Sequence, residues 1–202
     1  MNMDVDENRD SIGSKTGMWL FVLSEILLFG GLFILYSVYR YKYASAFHLA
    51  AEELSRPFGT INTLILVTSS LTMALSIFSL KKGDRTSSLM FLAATLFLGS
   101  LFLLIKYFEW TGKISHQIFP DSPRLLERNQ GEILFYGLYY SMTGLHGLHV
   151  LVGLGVLCVM GILIAKQKIN RANVIPLENS GLYWHLVDII WIFLFPLFYM
   201  IT

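Results

Sequence analysis

His146 and His149 stand three residues apart, and so do His185 and Asp188. On a helix, that spacing puts both members of a pair on one face. Imidazole and carboxylate groups on facing helices could bind a metal ion or a heme iron. They could equally hydrogen-bond to one another and fix how the helices pack. Lys106 and Glu109 repeat the spacing with opposite charges, which reads as an interface-level ion pair. Glu25 is a carboxyl group eight residues into an apolar stretch, about 12 Å from its start at helical rise. It reads either as a proton-linked group or as a structural hydrogen bond to a neighbouring helix. We expect its partner to be a histidine of the fourth or fifth span. The ligand set for a metal is thin, since one carboxylate accompanies the last histidine and no Cys–His cluster or zinc spacing is present. A Gly-rich phosphate loop and a nucleophile–base arrangement are also missing. The expectation is therefore an intramembrane polar network of Glu25, His146, His149, His185 and Asp188. No catalytic, cofactor-binding or metal residue is assigned.

Five long apolar stretches must position these groups: Gly17–Tyr39, Phe58–Leu80, Thr86–Phe108, Ile133–Ala165 and Asn179–Ile201. A bilayer core takes about 20 apolar residues of helix to cross. The 202-residue chain is 54% hydrophobic and 14% charged, where a soluble domain carries about a quarter charged residues. The fold class is therefore all-α, a polytopic transmembrane helical bundle with five transmembrane helices. Residues 1–16 form a solvated, loosely ordered cytoplasmic tail and residues 17–202 the transmembrane domain. A net charge of +1 gives no field that would draw nucleic acid. Acidic Asp4, Asp6, Glu7 and Asp10 at the start do not suit a cleavable signal peptide. Polar groups inside such spans are costly and default to a functional hypothesis.

The fourth span would run about 50 Å if wholly helical. It must tilt, protrude, or begin after Gly137. Small residues at Gly30-Gly31, Ser69-Ser70, Gly99-Ser100, Gly144, Gly147, Gly153 and Gly155 suit close helix contact. Cys158, the lone cysteine, reads as a small packing residue. Trp19, Trp110 and Trp184 lie near predicted span ends, as interfacial aromatics do. Arg56-Pro57 is a helix-start signal, and Pro196 should kink the last helix. The loops on the N-terminal side carry eight basic residues against six on the other, with Lys81, Lys82 and Arg85 clustered. That bias places the N-terminus in the cytoplasm and the C-terminus on the outer, periplasmic side.

These runs resemble the subunit III family of heme–copper terminal oxidases, in its short five-helix form. The resemblance rests on Lys15-Thr-Gly-Met-Trp-Leu-Phe-Val-Leu-Ser-Glu25, Asn62-Thr and Tyr107-Phe-Glu109-Trp. It continues through Thr143-Gly-Leu-His-Gly-Leu-His-Val150 and Trp184-His-Leu-Val-Asp-Ile-Ile-Trp191. Longer members have seven helices, and this chain looks like the last five. Short relatives occur among quinol oxidases and among accessory proteins of nitric-oxide reductases. The accessory group tends to carry Gly-Asp where this chain has Ser24-Glu25. The resemblance implies a non-catalytic subunit in a bacterial cytoplasmic membrane. Its catalytic partner, subunit I, would hold heme and copper, reduce O2 to water and pump protons. Subunit II and a small subunit IV would be further partners, within a possible larger respiratory supercomplex. Bound phospholipid is implied, with no cofactor in this chain itself. Subunit III supports proton uptake and protects the active site during turnover, and Glu25 matches the family's carbodiimide-reactive carboxyl. Alternatives are the nitric-oxide reductase accessory protein, a self-contained cytochrome with heme on His146, His149 or His185, and a small proton-linked transporter.

Overall fold

The computed structural model describes residues 3–200, with side chains from Gly13 onward. Seven helices follow one another: α1 Met3–Lys42, α2 Ala44–Glu52, α3 Arg56–Lys82, α4 Arg85–Ser115, α5 Pro123–Leu126, α6 Gln130–Ala165 and α7 Ile175–Tyr199. Five of them, all but α2 and α5, are long and apolar enough to span a membrane. The boundaries have local causes. Pro57 sits in the first turn of α3 and Pro176 in that of α7, where a missing N–H costs nothing. Gly83 ends α3 with φ +88°, a left-handed cap that a side chain would resist. The Asp84 carboxylate then accepts a 3.0 Å hydrogen bond from the Ser87 N–H and caps α4.

Buried residues recur in alternating steps of three and four. On α4 they are Ser88, Leu92, Thr95, Gly99, Phe102, Lys106, Glu109 and Lys113. On α7 they include Leu177, Ser180, Trp184, Val187, Trp191, Leu194 and Phe198. That heptad-like repeat is the mark of helices wound against each other with a left-handed crossing. Accordingly, α3 packs against α4 and α7, and α6 packs against the same two, closing a four-helix square. α1 lies outside it against α6 and α7, while α2 caps the end of α6.

In lipid, apolar burial gives helices little reason to associate, so close packing and hydrogen bonds must do it. Two tryptophans of α7 fill the centre of the square. The Trp184 indole N–H donates to Ser69 Oγ at 2.8 Å, and the Trp191 N–H donates to Thr63 Oγ1 at 3.1 Å. Glycines make room for them. A Cβ added at Gly99 would sit 2.7 Å from the Trp184 ring, and one at Gly153 would sit 2.9 Å from it.

Several expectations need correction. Trp184 is fully buried rather than interfacial. Cys158 is exposed on the outside of the bundle. Gly30, Gly31, Gly147 and Gly155 have no neighbour within 4 Å of a built Cβ, so they make no close helix contact within this chain. The backbone is helical from Met3, because no proline or turn sequence interrupts it before Lys42. The segment between the first two spans, read as a loop, contains α2, whose Phe47 and Ala50 are fully buried. The fourth span is one helix from Gln130, and its extra turns pack against α2.

Candidate functional site: a buried polar column

The stripe on α4 carries charge into the interior. Lys106 and Glu109 have side chains 9% and 3% exposed and pair at 2.9 Å. They pair inside the bundle rather than on its outer surface, because their heptad phase turns them toward the other helices. The Lys106 ammonium donates its three protons to Glu109 Oε2 at 2.9 Å, Tyr139 Oη at 3.1 Å and Tyr199 Oη at 2.6 Å. Both tyrosine hydroxyls donate to Glu109 Oε1, at 2.9 and 2.7 Å. An ammonium has three donors and a carboxylate two oxygens, so the cluster is saturated. The Trp191 ring lies 4.9 Å from the ammonium and adds cation–π attraction.

Toward the end of α6 that α2 caps, Lys113 donates to the Glu53 carbonyl at 3.3 Å. Arg128 bridges Glu53 at 2.8 Å and Glu132 at 3.0 Å, and the Tyr136 hydroxyl donates to Glu53 at 2.7 Å. Burial pushes the Glu53 carboxyl up, but the hydrogen bonds from Arg128 and Tyr136 and the charges of Arg128 and Lys113 outweigh it. Its pKa is therefore lowered. The same bond to Glu53 raises that of Arg128.

The five residues expected to form one network do not do so. Glu25 Oε2 lies 2.9 Å from His149 Nε2, in a contact between α1 and α6 that is off the line of the ring N–H. His149 Nδ1 is 2.8 Å from the Leu145 carbonyl, which can only accept. Nδ1 therefore carries a proton and donates to that carbonyl. His185 instead meets Ser70 of α3, with Nδ1 2.6 Å from the hydroxyl. His146 is fully buried without a protein hydrogen-bond partner, and Asp188, 2% exposed, has Ser70 as its polar neighbour. The helical phase explains the split. His146 falls on the buried stripe of α6, whereas His149 is turned from it toward α1.

Sequence reasoning missed Tyr139, Tyr199 and Lys113, and it read Asn62 only as part of a family motif; all four are buried. The signal for Lys113 was available, since Gly99, Phe102, Lys106, Glu109 and Lys113 keep one heptad phase. The tyrosines carried none, because their hydroxyls gain meaning only where α4, α6 and α7 meet. Among the described residues, no three His, Cys, Asp or Glu side chains gather as a metal site would require.

The family model for Cytochrome c oxidase subunit III matches residues 7–202. A protein of Staphylococcus haemolyticus named probable quinol oxidase subunit 3 is 28% identical over 188 residues, covering 93% of this chain and 89% of its own length. Cytochrome c oxidase subunit 3 of Thermostichus vulcanus is 32% identical over 190 residues, covering 92% and 86%. Heme-copper oxidase subunit I+III of Aeropyrum pernix is 30% identical over 197 residues, which span 93% of this chain and 22% of that longer protein. This five-span membrane chain belongs to the cytochrome c oxidase subunit III family.

Proposed function

We infer that this chain is a non-catalytic subunit of a respiratory heme–copper oxidase. It sits beside a subunit I that carries the heme and copper, reduces O2 to water and pumps protons. The match to the family model over residues 7–202 carries the reading. The Aeropyrum pernix relative, named subunit I+III, supports lateral assembly with subunit I. Subunit II, a small subunit IV and a larger supercomplex are the further partners we assign. The electron donor, cytochrome c or quinol, is set by those other subunits. The Lys106–Glu109–Tyr139–Tyr199 cluster is saturated by its own hydrogen bonds, which supports a structural role for that part of the chain. We place it in the bacterial cytoplasmic membrane with the N-terminus inside. Lys15 and Lys81 both pair with Glu178 at that end, consistent with a basic cytoplasmic rim. An apolar cavity of about 490 Å³ between α1 and α7, lined by Trp19, Ile26, Phe29, Phe33 and Phe193, is where we expect bound phospholipid.

Purification through a tag on this chain tests the reading. Heme absorbance from a co-purifying partner is expected, and a chain that purifies without any heme protein contradicts it. Absorbance carried by the isolated chain and lost in His146→Ala or His149→Ala would favour the self-contained cytochrome instead. Glu25→Gln should assemble nearly intact and lower proton-linked turnover modestly.

A further inference from the structure

One layer of the four-helix square is built from Asn62 of α3, Phe102 of α4, His146 of α6 and Trp191 of α7. Three contacts fix it. The Phe102 and Trp191 rings are 4.9 Å apart, the His146 and Trp191 rings are 5.2 Å apart, and Trp191 donates to Thr63, the residue after Asn62. Each of the four layer residues is fully buried. Phe102 and Trp191 occupy one diagonal, and the smaller Asn62 and His146 occupy the other, on helices whose backbones do not touch. Both polar atoms of Asn62 and both ring nitrogens of His146 lack a protein partner.

Leaving an amide and an imidazole dry in a membrane interior is among the costlier arrangements available to a fold. Neither can turn to solvent or lipid from this layer. Nearby polar groups are already committed, since Trp191 serves Thr63 and the Lys106 protons are all donated within their cluster. A carboxylate or a metal ion would bring charge that this layer does not balance. Water fits the chemistry, because it can donate to the Asn62 carbonyl or the bare nitrogen of His146 and accept from the other N–H groups. We propose that this layer holds a built water-binding site beside the Trp191 ring, in which one ordered water bridges Asn62 of α3 to His146 of α6.

Two measurements on the full chain, in the assembly with which it purifies, decide the matter. High-resolution density should show a spherical feature within hydrogen-bond reach of both Asn62 and His146. Density placing the Asn62 amide directly against the imidazole, with nothing between, overturns the proposal. Thermal midpoints of Asn62→Leu, His146→Phe and the double variant form the second test. A shared water predicts that each single change lowers the midpoint by about 3–6 °C, since a buried donor or acceptor is left unmatched. The double variant should recover at least half of the summed loss. Singles that raise the midpoint, with additive effects, mean a dry interior and overturn it.

Discussion

Two adjoining levels of the same bundle treat buried polarity in opposite ways. Around Lys106, every donor meets an acceptor and the charges cancel within one cluster. Around Trp191, one turn away on the neighbouring helices, Asn62 and His146 are as deeply buried and have no protein partner. Burial alone therefore does not identify a structural group. The saturated level fixes how α4, α6 and α7 meet, and the unsaturated level leaves two buried polar side chains without a protein partner.

The largest effect should come from breaking the saturated level. Lys106→Met leaves the Glu109 carboxylate buried without its cation, and we expect a loss of about 3–5 kcal/mol in the stability of the folded chain. Joint replacement of Lys106 and Glu109 by apolar residues should recover much of it, read as thermal midpoint or assembly yield. A Lys106→Met loss no larger than that of a surface lysine would erase the contrast between the levels.

Next come the glycines that admit the tryptophans. Gly99→Ala forces a methyl to within 2.7 Å of Trp184 and should cost about 1–3 kcal/mol. Gly147→Ala meets nothing within 4 Å, so it should be neutral or slightly stabilising. Equal losses at both sites would mean that the packing around Trp184 does not discriminate as described. Ser69→Ala removes the acceptor of the buried Trp184 N–H and should cost about 1–2 kcal/mol, detectable in the same melting assay.

The smallest effect lies outside the spans, at Glu53. Its lowered pKa means that the folded chain favours the ionised form. The associated stability is complete above the ordinary value of 4.5 and is lost as pH falls through the lowered one. Glu53→Gln should therefore flatten the melting profile between neutral pH and acid below 4.5. An unchanged pH profile would show that the Arg128 and Tyr136 bonds at this rim contribute nothing.

Much of the architecture could be read without a fold. Five apolar stretches and the start at Arg56-Pro57 follow from local composition and backbone geometry. The resemblance to the subunit III family lay in contiguous runs such as Thr143–Val150. The short helix α2 escaped notice because nine residues between two spans carry no transmembrane signal. The site was legible only as a set of residue types. Spacing put His146 and His149 on one face, yet one points into the square and the other toward α1.

By itself, the sequence determined that this chain crosses a bilayer five times and which ionisable groups must go with it, because hydrophobic length and charge are properties of each segment. Only the tertiary structure decided which of those groups are matched. A hydrogen bond needs two partners at about 3 Å, and the helices that supply them are far apart in the chain. Thus Lys106 found Tyr139 and Tyr199, Glu25 found His149, and His146 was left without a protein partner.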